Sequence, residues 1–552
     1  MEARVEMLGD SAWLVQWSVA DNLDDLLHHV HAFMHTLQQT SDRPSGIHSI
    51  LAAYDSLAVR YDPLAADGHA IREWIVRSLD KPTKPAGRAG ELHEIPVCYG
   101  GEYGQDLCAV ANACGITTEQ VVSIHSATEY TVAMMGFAPG FPYLTGLDEK
   151  LRVPRLATPR NRVRAGSVAI AGEQAGIYPC DSPGGWHILG HTPIHLFDPH
   201  REDAPSLLKP GDRVKFIPAT ASSDVDTSPQ WPGHPARSLP SSSPTAEILD
   251  PGFSTTIQDL GRPHFESTGV SPGGALDRQA LEVANLLLGN PPDAAALEIS
   301  VKGPTLQFHQ PTRIVLVGAD SSVGLRHARV RHVSAGETLE TGTFTNSLRA
   351  ILAIAGGIEI PEVMGSRSTD VRAGFGGLRL QIGDTLHTAL TNHHPPLIDG
   401  TSLATPVGRD HHIRYLPGPQ ADWFTPQAQT IFQNQPYEVT TRQDRMGMRL
   451  HGEKLDLLAR REMRSQPVCT GSIQIPPDGR PMILFAERQT HGGYPQIGCV
   501  ITADLPKLAR ALPGTRIHFH PVTLEDAWLV METNRRDLQW LKAGFMCHSA
   551  SA

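Results

Sequence analysis

The chain has 552 residues, 19% charged and 40% hydrophobic, with 50 glycines, 44 prolines and a formal net charge of -11. That length exceeds what one hydrophobic core fills, so several domains are expected, and the Gly/Pro content favours strands and turns over a helical bundle or a disordered chain. The acidic balance gives no general electrostatic reason to bind nucleic acid or an anionic membrane, so an anionic ligand has to meet a local basic site.

The first ten residues carry Glu2, Glu6 and Asp10 and no basic start ahead of a long apolar stretch, which speaks against a secretory signal. Apolar runs such as Ile314 to Val317 and Ala350 to Ala355 fall far short of the roughly 18 residues a membrane helix needs. The 7 cysteines form no Cys-x-x-Cys pair, which argues against a disulfide framework and a zinc site. A cytoplasmic protein without a metal centre is expected.

From Val5 to about Asp80 the pattern reads strand, helix, strand, strand, helix. Leu23, Leu26, Leu27, Val30, Phe33, Met34 and Leu37 recur at helical spacing, and Ser56 to Tyr61 alternate as a half-buried strand. An α+β unit over 1–85 is predicted, ending in the Pro-, Gly- and Lys-rich linker Lys81 to Gly87. Serine and proline dominate again between Ala219 and Pro244, so 219–245 reads as the seam of a gene fusion, with a long surface loop as the alternative.

A weak repeat runs through the remainder. Ala169-Ile170-Ala171-Gly172 recurs as Ala353-Ile354-Ala355-Gly356, each followed closely by Gly-Ile and then Pro, and Ile483-Leu484-Phe485-Ala486 precedes Gly492-Gly493-Tyr494-Pro495. Each unit closes alike, at Pro210 to Phe216, Gly383 to Leu386 and Pro513 to Phe519, with a turn leading into alternating apolar residues. This predicts three related β units, over 90–218, 246–400 and 410–530, with breaks near 81–90, 219–245 and 400–412; chance likeness of Gly-rich strands is the alternative.

The common nucleotide, zinc-protease and serine-hydrolase signatures are missing. The first segment suited to chemistry is Gly136-Phe137-Ala138-Pro139-Gly140-Phe141-Pro142-Tyr143-Leu144, followed by Arg152, Arg155, Arg160, Arg162 and Arg164. Guanidinium forks suit carboxylate or phosphate oxygens, and Arg160 and Arg164 lie between the Pro-rich turn and Gly166; a solvated loop paired with surface carboxylates is the plainer reading. His187 follows Ser182-Pro183-Gly184-Gly185-Trp186, and it and His125 are candidates for proton exchange near neutral pH, against an ordinary structural role. In the second half Gln258, Asp259 and Arg262, then Asp444 and Arg445, then Gln489 stand beside Gly-rich turns. Such groups suit a polar pocket for a small amide, or equally a set of ion pairs that pin loops.

These segments together resemble the allophanate hydrolase subunit 1 and subunit 2 families, the B and C subunits of bacterial ATP-dependent 5-oxoprolinase, on the scaffold of the carboxyltransferase region of urea carboxylase. About 5–218 resembles B, through the Gly-Phe-Ala-Pro-Gly-Phe-Pro-Tyr-Leu and Ser-Pro-Gly-Gly-Trp runs. About 246–525 resembles C, through Gln258-Asp259-Leu260-Gly261-Arg262, Asp444-Arg445-Met446-Gly447 and Gln489-Thr490-His491-Gly492-Gly493-Tyr494-Pro495. Gly273 replaces a usual serine, and Glu487 and His491 stand where Asp and Thr are common.

The resemblance implies a mainly β fold with an α+β N-terminal unit and multiple cyclophilin-like β-barrels, one in the B-like half and two in the C-like half, with an active site between the halves. It implies a LamB/YcsF-family A subunit as partner, ATP with Mg, and opening of 5-oxoproline or a related small amide to glutamate. A phosphoryl group on the lactam oxygen would make that oxygen a leaving group, with arginines balancing the charge. In that chemistry Asp259, Asp444, Arg445 and His187 are the catalytic candidates, and Arg160, Arg164, Gln258, Arg262, Gln489 and His125 the substrate-binding ones. Two other readings stay open: a biotin-dependent urea or amide carboxyltransferase, and a fused inhibitor and antagonist of a sporulation sensor kinase. No Met-Lys-Met biotin site and no ATP-grasp region occurs here, so the carboxyltransferase would need both on other chains. A homo-oligomer is compatible with every reading.

Overall fold

A computed structural model of the chain describes residues 2–18, 22–81, 90–201, 204–220, 244–377, 379–389, 408–459, 461 and 463–549. The linker Lys81 to Gly87, the Ser/Pro-rich stretch 219–245 and the break at 400–412 lie mainly outside the described residues.

The N-terminal unit has one strand more than the pattern suggested. Gly9, at a φ of 73° that favours glycine, turns the chain between Ala3–Met7 and Ala12–Trp17, so the first apolar stretch is a hairpin and not one strand. Helix Leu23–Gln39, capped by the Asn22 side chain, strands Ile47–Ala52 and Ser56–Tyr61, and helix Gly68–Leu79, capped by Asp67, complete it. Leu26, Val30, Phe33, Ile71 and Trp74 pack on Val15, Trp17, Leu57 and Val59. The strand Ser56–Tyr61 is buried on both faces, not half-buried. Its second face, with Leu8 and Leu14, meets Cys469 and Cys499 of the second half, and that docking removes the solvent its alternation anticipated.

Two seven-stranded closed barrels follow the same plan. In the first, Leu92–Tyr99 runs parallel to the closing strand Arg213–Pro218; in the second, Asp410–Pro417 runs parallel to Arg516–Pro521. Both closing strands are the repeats read from the sequence. The middle unit differs. Its closing strand Thr385–Leu386 pairs antiparallel with Ala246–Asp250, in a sheet with Thr305–Phe308 and Thr338–Glu340. The other sheet holds Ser254–Gln258, Ala296–Ser300, Arg349–Ile354, Thr312–Val317 and Arg329–Val333. Pro251-Gly252 and Gly303-Pro304 turn the chain from one sheet to the other, so apolar side chains of both sheets share one core without a continuous ladder. No single described helix is long and apolar enough to cross a membrane.

Candidate active site

The halves meet through loops that the sequence marked. In the first barrel the run Gly136 to Phe141 leaves the sheet ahead of strand Pro142–Thr145, with Phe137 held at φ 66°. Gly140 N–H donates to the Thr268 carbonyl at 2.9 Å, and Gly269, at φ 82°, lets the Ala138 carbonyl approach to where a Cβ would lie 2.6 Å away. Phe197 stacks on Phe375 at 6.2 Å, in a small apolar cluster with Val270, Val363 and Ala373.

Behind this seam lies a buried polar cluster. Arg262 is 1% exposed; it donates to the carbonyls of Val363, Ser366 and Ser368 and covers the Phe375 ring at 5.2 Å. Burial lowers its pKa, against the raising fields of Asp370, Asp259 and Glu487. Asp259 lies beside it, but its carboxylate is occupied: it accepts from Gly261 N–H, from the Ser366 and Ser368 hydroxyls and from Arg367 N–H, all within 2.8 Å. It pins a loop, as the plainer sequence reading allowed. Gln258 is fully buried beneath, donating to Thr256 and to the Thr369 carbonyl, so its amide faces the sandwich interior.

Arg445, from the turn between Tyr437–Gln443 and Gly447–His451, reaches across to the middle unit. It donates to Glu487 at 2.5 Å, to Glu298, and to the Gly274 carbonyl at 2.7 Å. Burial alone would lower its pKa, but Glu298 and Glu487 outweigh burial and raise it. Burial pushes the Glu487 carboxyl up to about 7; Arg445 opposes the shift and Asp370 adds to it. A buried carboxyl of that kind can exchange a proton near neutral pH. Arg349, pushed down to about 10 by burial, backs the cluster and bonds the Asp444 carbonyl. Asp444 itself is exposed and folds its side chain onto Met446 and Gly447 N–H, capping its own turn. Gln489 is half-buried two residues beyond Glu487.

The first half's candidates do not join this cluster directly. Arg160 pairs with Asp106 at 2.6 Å and reaches the Trp186 carbonyl; the Nε2 of His187 bonds the Pro154 carbonyl at 3.0 Å; both stay within their own barrel. Arg164 is exposed beyond strand Arg160–Val163. His125 is 0% exposed inside the first barrel, bonded to the Tyr99 hydroxyl at 2.7 Å and stacked on Phe216, and burial holds its pKa down at about 3. The substrate-binding role expected for His125 is corrected: it is a neutral packing residue, because no ligand can reach it there.

Glu298, Asp370, Arg349, Arg372, Arg60 and Glu266 were not among the candidate site residues marked by the sequence, while Glu487 and Arg488 stood in the marked run without an assigned role. Glu266 lies four residues past Arg262, the end of a motif that could have marked it; nothing near Glu298 does so. Among the described residues no group of three or more His, Cys, Asp or Glu is placed to hold a metal ion. A groove of about 1110 Å³ between strand Ala3–Met7 and the Pro417 to Trp423 loop is lined by none of the candidate residues, so volume alone does not locate the chemistry.

Residues 268–521 match the family model of the carboxyltransferase domain, subdomains A and B, and residues 3–208 that of subdomains C and D. The C subunit of 5-oxoprolinase from Escherichia coli strain K12 is 37% identical over 303 residues, covering 53% of this chain and 97% of that protein. The B subunit of 5-oxoprolinase from Bacillus subtilis strain 168 is 37% identical over 227 residues, covering 39% of this chain and 92% of that protein. The crystal structure of TTHA0988 superposes with a TM-score of 0.80 at 32% identity, over 92% of this chain and 99% of that one.

Proposed function

Because the chain belongs to the carboxyltransferase-domain family of the 5-oxoprolinase B and C subunits, with both fused in one polypeptide, we propose that it is the B/C component of an ATP-dependent 5-oxoprolinase. It opens 5-oxoproline to L-glutamate together with a LamB/YcsF-type A subunit. The observation that carries this reading is the likeness of each half to a different subunit of one enzyme, together with the seam at which the signature loops of both halves touch.

The reaction needs a phosphoryl acceptor, a nucleophilic water and proton traffic. Transfer of the ATP γ-phosphoryl group to the lactam oxygen forms an O–P bond and releases ADP. One water then adds to the lactam carbon, the C–N bond breaks as nitrogen takes a proton, and γ-glutamyl phosphate remains. A second water displaces phosphate, so lactam, ATP and two waters become glutamate, ADP and phosphate. On this chain Glu487, beside Arg445, is the group we assign to proton exchange, while Arg262 and Arg445 supply fixed positive charge at the seam. Among the described residues no cluster of three or more His, Cys, Asp or Glu forms a metal cage, and no step here is routed through Mg²⁺. Asp259 and Asp444 act on this proposal by holding the loops that carry Arg262 and Arg445.

The test is glutamate formation from 5-oxoproline and ATP by this chain with and without the A subunit. Little turnover alone and turnover on mixing is expected; full activity from the chain alone would refute the division of labour. The carboxyltransferase description of the matching models favours one second reading, transfer of a carboxyl group to urea or a similar amide from biotin on another chain. Biotin-dependent carboxylation without glutamate formation would select it.

A further inference from the structure

Arg155 and Arg372 belong to different halves, yet both lie against one aromatic panel. The Arg155 guanidinium stands 6.0 Å from the Trp186 ring centroid, and that of Arg372 stands 5.3 Å from Phe137. Phe141 joins the two rings, at 5.3 Å from Phe137 and 5.7 Å from Trp186. Tyr143 packs on the same panel, 5.0 Å from Phe141 and 5.9 Å from Trp186, and feels the field of both guanidiniums. Tyr54 and Tyr178 feel that of Arg155.

Neither arginine has a carboxylate within ion-pair distance among the described residues, and both are exposed. Their neighbours in sequence are not so placed: Arg152 pairs with Glu149 and Glu173, Arg160 with Asp106, and Arg162 with Asp181. The Arg372 backbone N–H donates to Asp370 at 3.1 Å, and among the described residues its guanidinium has one polar contact, to the thioether of Met446 at 3.3 Å, so this side chain touches the first barrel and the second while rooted in the middle unit. In a chain of net charge -11, two uncompensated cations on a shared aromatic wall make a local positive site. Rings on one side limit hydration of the guanidiniums and leave their N–H forks free for oxygen acceptors.

We propose that Arg155 and Arg372, with Tyr143 beside them, form a phosphate-binding seat that exists only where the two halves meet. The choice of phosphate rests on the oxoprolinase reading, which brings a phosphoryl group to this seam; two guanidiniums and a phenol match a dianion better than a lone carboxylate. The seat would hold the phosphoryl oxygens while Glu487 and Arg445 act on the lactam side.

The probe is inorganic phosphate, titrated by calorimetry at low salt into the full chain, with 5-oxoproline titrated separately as a carboxylate that carries no phosphate. Arg155→Ala and Arg372→Ala should each weaken phosphate binding at least tenfold and leave 5-oxoproline binding unchanged. Arg372→Lys should fall between, and Arg331→Ala, which removes a distant surface pair with Glu337, should match the parent chain. Both exposed arginine variants should melt like the parent, which separates lost binding from lost folding. Phosphate affinity that is absent in the parent, unchanged in both alanine variants, or lost in step with 5-oxoproline affinity overturns the seat. Glutamate formation with the A subunit is read separately. If it fails while arginine-dependent phosphate binding holds, the oxoprolinase reading falls and the seat stands; if it persists unchanged in the double variant, the seat is not part of that reaction.

Discussion

Arg60 Nε stands 2.8 Å from Glu266 Oε2, joining the N-terminal unit to the middle unit, and Arg488 of the second barrel takes the other oxygen of the same carboxylate. All three side chains are buried. A carboxylate shared by two guanidiniums in low dielectric contributes little over an apolar replacement of the whole triad, but its removal alone strands two buried positive charges. Glu266→Gln is therefore expected to cost about 3–5 kcal/mol. Pairing it with Arg60→Ala should cost less than the sum of the single changes, which chemical denaturation measures. An unmoved midpoint for Glu266→Gln would show that the docked units do not depend on the triad.

Arg445→Ala carries a different expectation now that its partners are visible. As one of the catalytic candidates read from the sequence, Arg445 would lose turnover on this change with stability intact. With Glu298 and Glu487 both buried against it, the variant should instead lose about 3–5 kcal/mol, and any loss of turnover comes with it. Arg445→Lys, which keeps the charge but not the three-way fork, should recover part of the stability. A variant that melts normally and fails only in turnover would restore the purely catalytic role.

Acid should undock the N-terminal unit. His31 bonds the Ala133 carbonyl of the first barrel and His491 bonds the Ala52 carbonyl, and burial lowers both pKa values to about 4. A histidine whose folded pKa is depressed stabilises the fold above its unfolded value near 6.5, and that contribution is lost as pH falls toward 4. His125 adds the same sign within the first barrel. Stability measured from pH 7 to 4 should fall, and His31→Gln with His491→Gln should flatten the slope; an unchanged slope in the double variant would place the acid sensitivity elsewhere.

Glu487 works in the opposite direction. Its folded pKa is raised to about 7, so its contribution is fully present below about 4.5 and is lost as pH rises through 7. Glu487→Gln should remove that component, seen as a shallower decline in stability between pH 5 and 8. If Glu487 exchanges a proton in the reaction, the same change should abolish a limb of the pH–rate profile near neutrality.

Gly269→Ala tests the seating of the Gly136 to Phe141 loop. The added Cβ would lie 2.6 Å from the Ala138 carbonyl, at a φ of 82° that side chains resist. A loss of about 1–3 kcal/mol is expected, with lower turnover because both signature loops shift together. Gly336→Ala, at φ 79° but with open space around it, separates strain from collision.

Local order was legible in the residues. The apolar spacing of Leu23 to Leu37 is a helix in the structure, and the turn-plus-strand repeats at Pro210 and Pro513 close two barrels in the same parallel manner. These features depend on period and on Pro/Gly turns, which a short stretch of chain carries by itself. The Gly383 repeat misled in part: its strand pairs antiparallel, because barrel closure depends on the neighbouring edge and not on the closing strand alone.

Which polar residues meet was decided only by tertiary structure. Asp259, Arg262 and Arg445 were visible beside Gly-rich turns, but Asp259 is consumed by four donors of its own unit, and Arg445 finds Glu298 from a strand whose sequence bears no mark. The same Arg-rich stretch holds Arg160, paired with Asp106, and Arg155, which has no carboxylate partner among the described residues, and nothing in their spacing separates them. Ion pairing and burial depend on how separately folded units dock, and a side chain's partner there comes from residues hundreds of positions away. The sequence by itself therefore determined most of the elements and the family, while docking determined which charges are paired among the described residues.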